Sequence, residues 1–215
     1  RLVAYTNKAV SDWNKFIRTN IIQDSDRAAL TRNDLILSYV TLVNEFNEAV
    51  ITNSEDYIIK NIANFTNKDG IKGFTVKFVK INGGESTKPL FVVDHNRANI
   101  LLYYKLCNEF IDAAKSAPAS SRRARWKLYY EFKERNLLLA NILDKYGKIK
   151  FYRDLDYGFA ITSHKSQGST FKDVDINDIV FMANGSPYGD IDNTLRRLYT
   201  ACSRCKNRLF LCYGW

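Results

Sequence analysis

The sequence has 215 residues, 46% hydrophobic and 13% aromatic, a composition that excludes a disordered chain and indicates a globular protein with a substantial core. Its 32 Lys and Arg against 23 Asp and Glu give a formal net charge of +9, which favours a polyanionic partner, nucleic acid before membrane. The sequence contains no secretory leader and no apolar run long enough to span a bilayer, so we expect no membrane partner.

The four cysteines do not indicate a disulfide framework in a chain of this size. The spacing Cys202-x-x-Cys205 is compatible with zinc, but a structural zinc needs four ligands, and only Cys212 and two distant histidines could complete the set. We therefore expect no metal site and interpret Cys202 as a small apolar residue on a helix face. Because the first residue is Arg1 rather than Met, we expect the chain to be a piece of a longer protein.

The N-terminal segment predicts a strand, a turn and a helix. Residues 1–5 are typical of a strand, and Thr6 and Asn7 form a turn that can cap a helix. Val10, Trp13 and Ile17 then recur at helical spacing, so the helix packs on a sheet through that face.

The middle of the chain predicts two further modules. Residues 29–95 contain about five short β-rich segments separated by turn signals, which indicate a small antiparallel β-barrel. Residues 96–147 predict a helical hairpin, with the first helix capped by Asp94 and ended by Ala117-Pro118. Ser120 or Ser121 caps the second helix, which carries Trp126, Tyr130, Leu137 and Ile142 and ends at Gly147. No internal repeat is evident.

From about residue 148 the strand–helix alternation of an α/β protein returns. We predict a strand leading to residue 160, a strand over 179–183, a helix over 190–205 and a last strand over 208–213. The fold class is therefore α/β: a discontinuous domain of residues 1–28 plus 148–215, split by the β-barrel (29–95) and the helical hairpin (96–147).

One stretch combines the features of a ligand-binding loop. Residues 160–171 read AITSHKSQGSTF: an apolar strand end is followed by nine small, polar or basic residues. A strand that runs into a polar, glycine-containing turn is a common phosphate site, because ligands bind outside the carboxyl ends of strands in α/β sheets. A plain polar loop with a helix start explains the same residues equally well.

Three segments carry a family resemblance. TSHKSQGSTF resembles motif V of superfamily 1 helicases, roughly T-x-H-K-x-Q-G, and LYTACSRCKNRLFL resembles motif VI of the same superfamily. RLVAYTNKAVSDWN resembles the strand–turn–helix that opens the second RecA-like domain in the Dda/RecD-like branch (superfamily 1B). This resemblance implies a RecA-like second motor domain, with a parallel sheet flanked by helices, an inserted small antiparallel β-barrel and a helical hairpin.

The resemblance also implies roles for the residues that match the motifs. Arg204, preceded by Ser203, matches the catalytic arginine finger that reaches the γ-phosphate, and Gln167 and Gly168 would lie near ATP with it. The alternative for Arg204 is an arginine near a helix C-terminus that only interacts with the helix dipole. Ser169 departs from the Glu common at that position in the UvrD-like branch.

The resemblance implies that Thr162 and His164 contact single-stranded DNA, while Lys165 meets either phosphate or solvent. The Thr6-Asn7 turn resembles a DNA-contacting element at the same sheet edge. A helix cap with no ligand explains Thr6 and Asn7 equally well, and a polar turn residue is the alternative for His164.

No G-x-x-x-x-G-K-[ST] motif occurs, so the half of the site that would hold ATP and Mg²⁺ lies elsewhere. The resemblance implies the C-terminal half of an ATP-dependent DNA helicase moving 5′ to 3′ on single strands and unwinding duplex. Its partners would be single-stranded DNA, single/double-strand junctions and the N-terminal RecA-like domain of the same protein. We expect a cytoplasmic location in a bacterial or phage-infected cell, and no ATP hydrolysis by this fragment alone.

Two alternatives stay open. One is a stand-alone or degenerate nucleic-acid-binding module without ATPase activity; the other is half of a viral-type RNA helicase. The basic residues around 122–135 either bind the DNA backbone or form an ordinary solvated helix surface.

Overall fold

A computed structural model describes residues 1–22, 28–81, 83–169, 171–176 and 190–211. The chain forms two compact units: Arg1–Gln23 with Tyr157–Trp215, and Asp24–Asp156. The described helices and strands follow in chain order: β1 (Leu2–Ala4), α1 (Asn7–Ile21), β2 (Leu35–Ser38), β3 (Leu42–Val43), β4 (Ala49–Ile51), β5 (Asp56–Thr66), β6 (Lys72–Lys80), β7 (Leu90–Val93), α2 (Arg97–Ser116), α3 (Ala119–Arg135), β8 (Ile142–Leu143), β9 (Ile149–Phe151), β10 (Leu155–Tyr157), β11 (Ala160–Thr162), α4 (Ser163–Ser166), β12 (Phe171–Ile176), α5 (Ile191–Cys202) and β13 (Cys205–Leu211).

The first unit is built on a parallel sheet with the strand order β11-β1-β12-β13. The central strand β1 is buried along its whole length, because α1 covers it through Val10 and the half-buried Trp13 and Ile17. The prediction of a mixed α/β protein with a parallel sheet is therefore confirmed. The predicted strand at 179–183 lies outside the described residues.

Helix α1 begins where the sequence predicts. The Thr6 side chain accepts a hydrogen bond from the backbone N–H of Ala9 (3.1 Å), the usual arrangement of a helix N-cap. The helix buries Val10, Asn14 and Arg18, which recur at i, i+4 spacing and so lie on one face.

The second unit contains a five-stranded sheet in the order β10-β2-β5-β6-β7, in which β2, β5, β6 and β7 pair antiparallel. Gly73 on β6 lies so close to β7 that an added Cβ would come within 2.2 Å of the Val92 carbonyl oxygen. The close approach lets the Phe65 and Phe91 rings meet edge to face, with their centroids 6.0 Å apart.

Helices α2 and α3 pack on each other beside this sheet. Phe132 of α3 lies between Tyr103 and Phe110 of α2, at centroid distances of 5.5 and 5.2 Å. Two predicted caps are wrong. Asn96, rather than Asp94, caps α2 by accepting from the N–H of Asn99. Helix α3 starts directly after Pro118 without a side-chain cap, since proline already supplies a backbone angle suited to a helix start.

The prediction that the second helix runs to Gly147 is also wrong, because α3 ends at Arg135. Leu137 instead joins the neighbouring sheet: its N–H donates to the Phe91 carbonyl (3.1 Å), and its carbonyl accepts from the Val93 N–H (2.9 Å). Leu137 and Ile142 are buried as predicted. Burial against the sheet edge, rather than helical periodicity, explains their apolar character.

The residues after α3 form a short hairpin of β8 and β9 that repeats the hairpin of β3 and β4 with an offset of 100 residues. The Asn44 side-chain oxygen accepts from the N–H groups of residues 46 and 48, and the Asp144 side-chain oxygen accepts from those of residues 146 and 148. Asn47 and Gly147 both adopt positive φ, 63° and 76°. The structure therefore contains an internal repeat that the sequence analysis missed.

Near the C-terminus, the predicted helix over 190–205 is shorter, and β13 begins earlier than predicted, at Cys205. None of the described helices has the length and apolar character needed to cross a bilayer.

Candidate functional site

The carboxyl ends of β1 and β11 place two predicted DNA-contacting segments side by side. The two strands pair in parallel with Ala4 opposite Thr162, so the Thr6-Asn7 turn and the start of α4 leave the same edge of the sheet. Thr162 caps α4 as Thr6 caps α1: its Oγ1 accepts from the Lys165 N–H at 3.3 Å. Both threonines therefore have a structural role as helix caps, and both remain partly exposed.

The single turn of α4 sorts its side chains by face. Ser163 and Ser166 are buried, and the Ser166 hydroxyl donates to the Ser163 carbonyl at 2.7 Å. His164 and Gln167 occupy the opposite, i, i+3 positions and are exposed. The alternation of small serines with larger polar residues in this stretch is therefore explained by one helical turn that packs inward through its serines.

A tight turn follows α4 and requires glycine. The N–H of Gln167 donates to the His164 carbonyl (3.3 Å), and the N–H of Ser169 donates to the Ser166 carbonyl (3.1 Å). Between them Gly168 has φ +80°, a conformation that side chains disfavour, although no described atom lies within 4 Å of the position of a Cβ. Backbone conformation, rather than a crowded neighbour, is what selects glycine here.

Arg204 lies just beyond the C-terminus of α5. Its Nε donates to the Thr200 carbonyl at 3.2 Å, and one terminal guanidinium nitrogen donates to the Ser203 hydroxyl at 2.9 Å. Both acceptors are neutral, and no carboxylate pairs with Arg204 among the described residues. Among the described residues, the guanidinium therefore lies over the helix end with no acidic side chain to balance its positive charge.

Arg204 and the strand that follows the Gln167–Gly168 turn are joined at the amino ends of β12 and β13. The N–H of Phe171, the first residue of β12, donates to the Arg204 carbonyl at 2.7 Å. Because Gly168 precedes Phe171 by only three residues, and α4 packs against α5, the turn and the arginine belong to one local structure.

The two groups of candidate residues lie at opposite edges of the sheet. Leu2 of β1 pairs with Ala160 of β11 on one side and with Asp175 of β12 on the other. Along the common strand direction, Thr162 therefore lies two residues after this pairing and Phe171 lies four residues before it. Six residues of strand correspond to about 20 Å. The structure brings Thr6, Asn7 and Thr162 together at one edge. It brings Gln167, Gly168 and Arg204 together at the other, with His164 and Lys165 on the helical turn between them.

Asn14 is a site-supporting residue that the sequence analysis missed. Its buried side chain donates to the carbonyls of Tyr157 (2.8 Å) and Ala160 (3.2 Å) and accepts from the Ala160 N–H (2.6 Å). These bonds attach β11, which carries Thr162, to α1. The sequence could have indicated this role, because Asn14 lies on the same helix face as the apolar Val10. A buried amide without hydrogen-bond partners destabilises a protein, so an asparagine on such a face predicts specific partners.

Several arginines contact aromatic rings in this unit, and two of these contacts lie beside the candidate segments. The Arg197 guanidinium of α5 lies 4.2 Å from the centroid of Tyr5, the residue before the Thr6-Asn7 turn. Arg1 lies 5.0 Å from the ring centroid of Phe171 and donates to the Gly158 carbonyl. Such contacts stabilise the strand ends at which the candidate residues lie.

The cysteine pair shows no metal geometry. Burial, with the nearby Cys205, raises the pKa of the Cys202 thiol, which therefore stays protonated at neutral pH. The Cys205 Sγ donates to the Arg208 carbonyl at 2.7 Å. In the part of the chain that the structure describes, no three His, Cys, Asp or Glu side chains are grouped as metal ligands; Cys212 lies outside it.

Comparison with known proteins gives matches of limited coverage. Residues 157–212 match the model of the UvrD-like helicase C-terminal domain. An uncharacterized protein of Acanthamoeba polyphaga mimivirus is 38% identical over 63 residues, which are 28% of this chain and 12% of that protein.

Among solved structures, Pif1 helicase from Bacteroides in complex with ADP-AlF3 and ssDNA is 13% identical with a TM-score of 0.47, over 99% of this chain and 40% of that one. Pif1 helicase from Candida albicans is 12% identical with a TM-score of 0.49, over 99% and 44%. The chain thus spans less than half the length of these proteins.

The segment that matches the family model carries α4, the Gln167–Gly168 turn and Arg204. The predicted resemblance to a UvrD-like helicase C-terminal domain is confirmed for this segment. Residues 157–212 are therefore similar to a UvrD-like helicase C-terminal domain.

Proposed function

We propose that this chain is the C-terminal motor half of an ATP-dependent superfamily 1B DNA helicase, which moves 5′ to 3′ on single-stranded DNA in a bacterial or phage-infected cell. Its first unit acts as the second RecA-like domain, and residues 29–95 and 96–147 act as the inserted β-barrel and helical hairpin. The observation that carries the proposal is the hydrogen bond from Phe171 to Arg204 (2.7 Å), since it joins the strand after the Gln167–Gly168 turn to the arginine.

The chemistry of this corner suits a polyphosphate. Arg204 offers a planar, permanently charged donor group, and its described partners are neutral oxygens that a phosphate can replace. The exposed Gln167 amide and the backbone at Gly168, where no side chain obstructs approach, add neutral donors. ATP, when bound, supplies the phosphoryl group; Arg204 would stabilise the negative charge on it, and the N-terminal domain would hold Mg²⁺.

The opposite edge suits a nucleic-acid backbone. Asn7 and His164 are exposed, and Thr6 and Thr162 each keep a hydroxyl hydrogen to donate while their oxygens cap helices. Lys165 adds a positive charge at the same helical turn. In this proposal the single turn of α4 connects the residues near the nucleotide to those near the DNA. Because Ser163 and Ser166 pack inside, α4 moves as one rigid turn and transmits movement between the two groups.

The test is ATP turnover by the full-length protein with saturating single-stranded DNA. Arg204→Ala should lower kcat by about a thousandfold or more, because the finger charge acts in the transition state. Arg204→Lys should recover only part of that loss, since lysine keeps the charge but not the planar fork. Arg196→Ala is the matched control: it removes the same charge from an exposed position of α5 and should leave kcat unchanged.

Equal kcat values for Arg204→Ala and Arg196→Ala would reject the finger role. A protein that lacks single-strand-stimulated turnover altogether would reject the motor function and leave a nucleic-acid-binding module. Turnover stimulated by RNA but not DNA would favour the RNA helicase alternative.

A further inference from the structure

Helix α3 is exposed over most of its length. Of its 17 residues only Phe132 is fully buried. It carries six cationic and two acidic side chains, a net charge of +4, whereas the longer helix α2 beside it carries three and two. The positive charge of the helical hairpin is therefore concentrated on α3.

The outward face of α3 alternates cations with aromatic rings. Residues 123, 127 and 130 follow one another at i, i+4, i+7 and lie opposite the buried Phe132, with residue 126 on their flank. The stripe comprises Arg123, Trp126, Lys127 and Tyr130. It extends about 10 Å along the helix, enough to contact about two nucleotides.

The two rings of this stripe form a platform of one half-buried ring, Trp126, and one exposed ring, Tyr130. The Trp126 and Tyr130 ring centroids are 6.3 Å apart with an interplanar angle of 33°, and Tyr130 is 57% exposed. Tyr129 supports both from the inner side, at 5.7 Å from Trp126 and 5.2 Å from Tyr130. Burial raises the pKa of Tyr129 to about 12, as is typical of a tyrosine that packs against the core.

We propose that the α3 stripe binds single-stranded DNA, with Trp126 and Tyr130 stacking on bases and the surrounding Arg and Lys contacting phosphates. Charge complementarity selects a polyanion, and the accessible ring platform selects one with unstacked bases, since duplex bases offer no face to stack on. The choice of DNA over RNA rests on the proposed function; the platform does not. This site belongs to the second unit, whereas Arg204, Thr162 and the other candidate residues belong to the first.

The chain offers an unusually close control for the charge contribution. Lys127 pairs with Glu131 and Lys105 of α2 pairs with Glu109, both at 3.8 Å and at i, i+4, and the lysine side chains are 77% and 72% exposed. Lys105→Gln therefore removes the same charge and the same kind of ion pair from the neighbouring helix. Lys115 is a second exposed cation on α2, so Lys115→Gln is the control for Arg123→Gln.

The experiment is fluorescence anisotropy of labelled oligo(dT) with the 215-residue chain, without nucleotide, across a salt series. Arg123→Gln with Lys127→Gln should weaken binding and flatten the dependence of log K on log salt by about 0.7 for each phosphate that is no longer neutralised. Lys105→Gln with Lys115→Gln should leave the slope unchanged. Equal effects of the two double variants would overturn the site, because only general charge would then matter.

The stacking contribution is tested with Tyr130→Leu and Trp126→Leu, which keep an apolar side chain and remove the ring. Each should weaken oligo(dT) binding about tenfold, with an unchanged thermal transition, and oligo(dT) should quench Trp126 fluorescence. Unchanged affinity in both variants would overturn the proposal, as would tighter binding of duplex DNA, oligo(rU) or anionic phosphatidylserine vesicles. Because this assay needs no ATP turnover, its failure is distinguishable from failure of the motor function.

Discussion

Removal of the Asn14 side chain should loosen β11, the strand that leads into the Thr162–Gly168 segment. Asn14→Ala deletes three hydrogen bonds to the backbone of residues 157 and 160 and leaves buried donors and acceptors without partners. At about 1 kcal/mol for each bond, the expected loss of local stability is about 3 kcal/mol.

The control for this change lies on the same helix. Asn20 is exposed, and its single side-chain bond goes to the Phe16 carbonyl at 2.7 Å. Asn20→Ala should cost less than about 0.5 kcal/mol, since water replaces that bond. The two variants remove the same chemical group and differ only in burial and in what the amide holds.

The measurement is native-state hydrogen exchange of peptides covering residues 157–162, because the chain has two units and a single unfolding transition is not assured. A loss of about 3 kcal/mol accelerates exchange by about a hundredfold at the Ala160 amide. If the Asn14→Ala and Asn20→Ala proteins exchange at similar rates there, Asn14 does not hold the strand, and this reasoning is refuted.

Three further changes test other parts of the structure. Burial raises the pKa of Asp154 from 3.8 to about 6, so the folded protein binds this proton more tightly and loses stability as pH rises through that window. The free energy of unfolding of Asp154→Asn, relative to wild type, should therefore increase by up to about 3 kcal/mol between pH 4 and pH 6.5 in urea titrations. A difference that stays constant with pH would contradict this. Gly73→Ala should cost several kcal/mol in the same assay because its Cβ would meet the Val92 carbonyl; an unchanged midpoint would refute the close approach. Gly168→Ala should lower local stability by about 1 kcal/mol and Gly168→Asn by less, because asparagine tolerates positive φ. Hydrogen exchange at residues 166–169 that is as fast in Gly168→Asn as in Gly168→Ala, or faster, would reject the conformational argument.

The elements that could be predicted are those in which local signals and burial agree. Helix α1 has a threonine cap, a regular apolar face and a strand before it, and each of these independently predicts the same boundary. Leu137 and Ile142 show the opposite case. Their apolar spacing is compatible with a helix, but the Asp144–Gly147 turn ends any helical path, and Leu137 pairs with the sheet edge at Phe91 and Val93 instead.

The internal repeat was hidden because its two copies share geometry rather than residue identity. Leu42 corresponds to Ile142 and Phe46 to Tyr146, so the pairs share size and polarity but not letters. What repeats is the acceptor oxygen at residues 44 and 144 and the positive φ at residues 47 and 147. Asparagine and glycine are different residues that meet the same backbone requirement.

The candidate residues of the first unit could be identified from motifs, but their division between two sheet edges required the strand register. In sequence, Thr162 and Gln167 are five residues apart, and a loop interpretation places them together. In the structure, Thr162 ends β11, whereas the turn at Gly168 leads into β12 about 20 Å back along the sheet. A segment of this kind has one end at each edge and a single helical turn between. Substitutions at its buried centre, such as Ser166→Val, should therefore disturb both ends at once, whereas exposed substitutions such as His164→Ala should disturb only one.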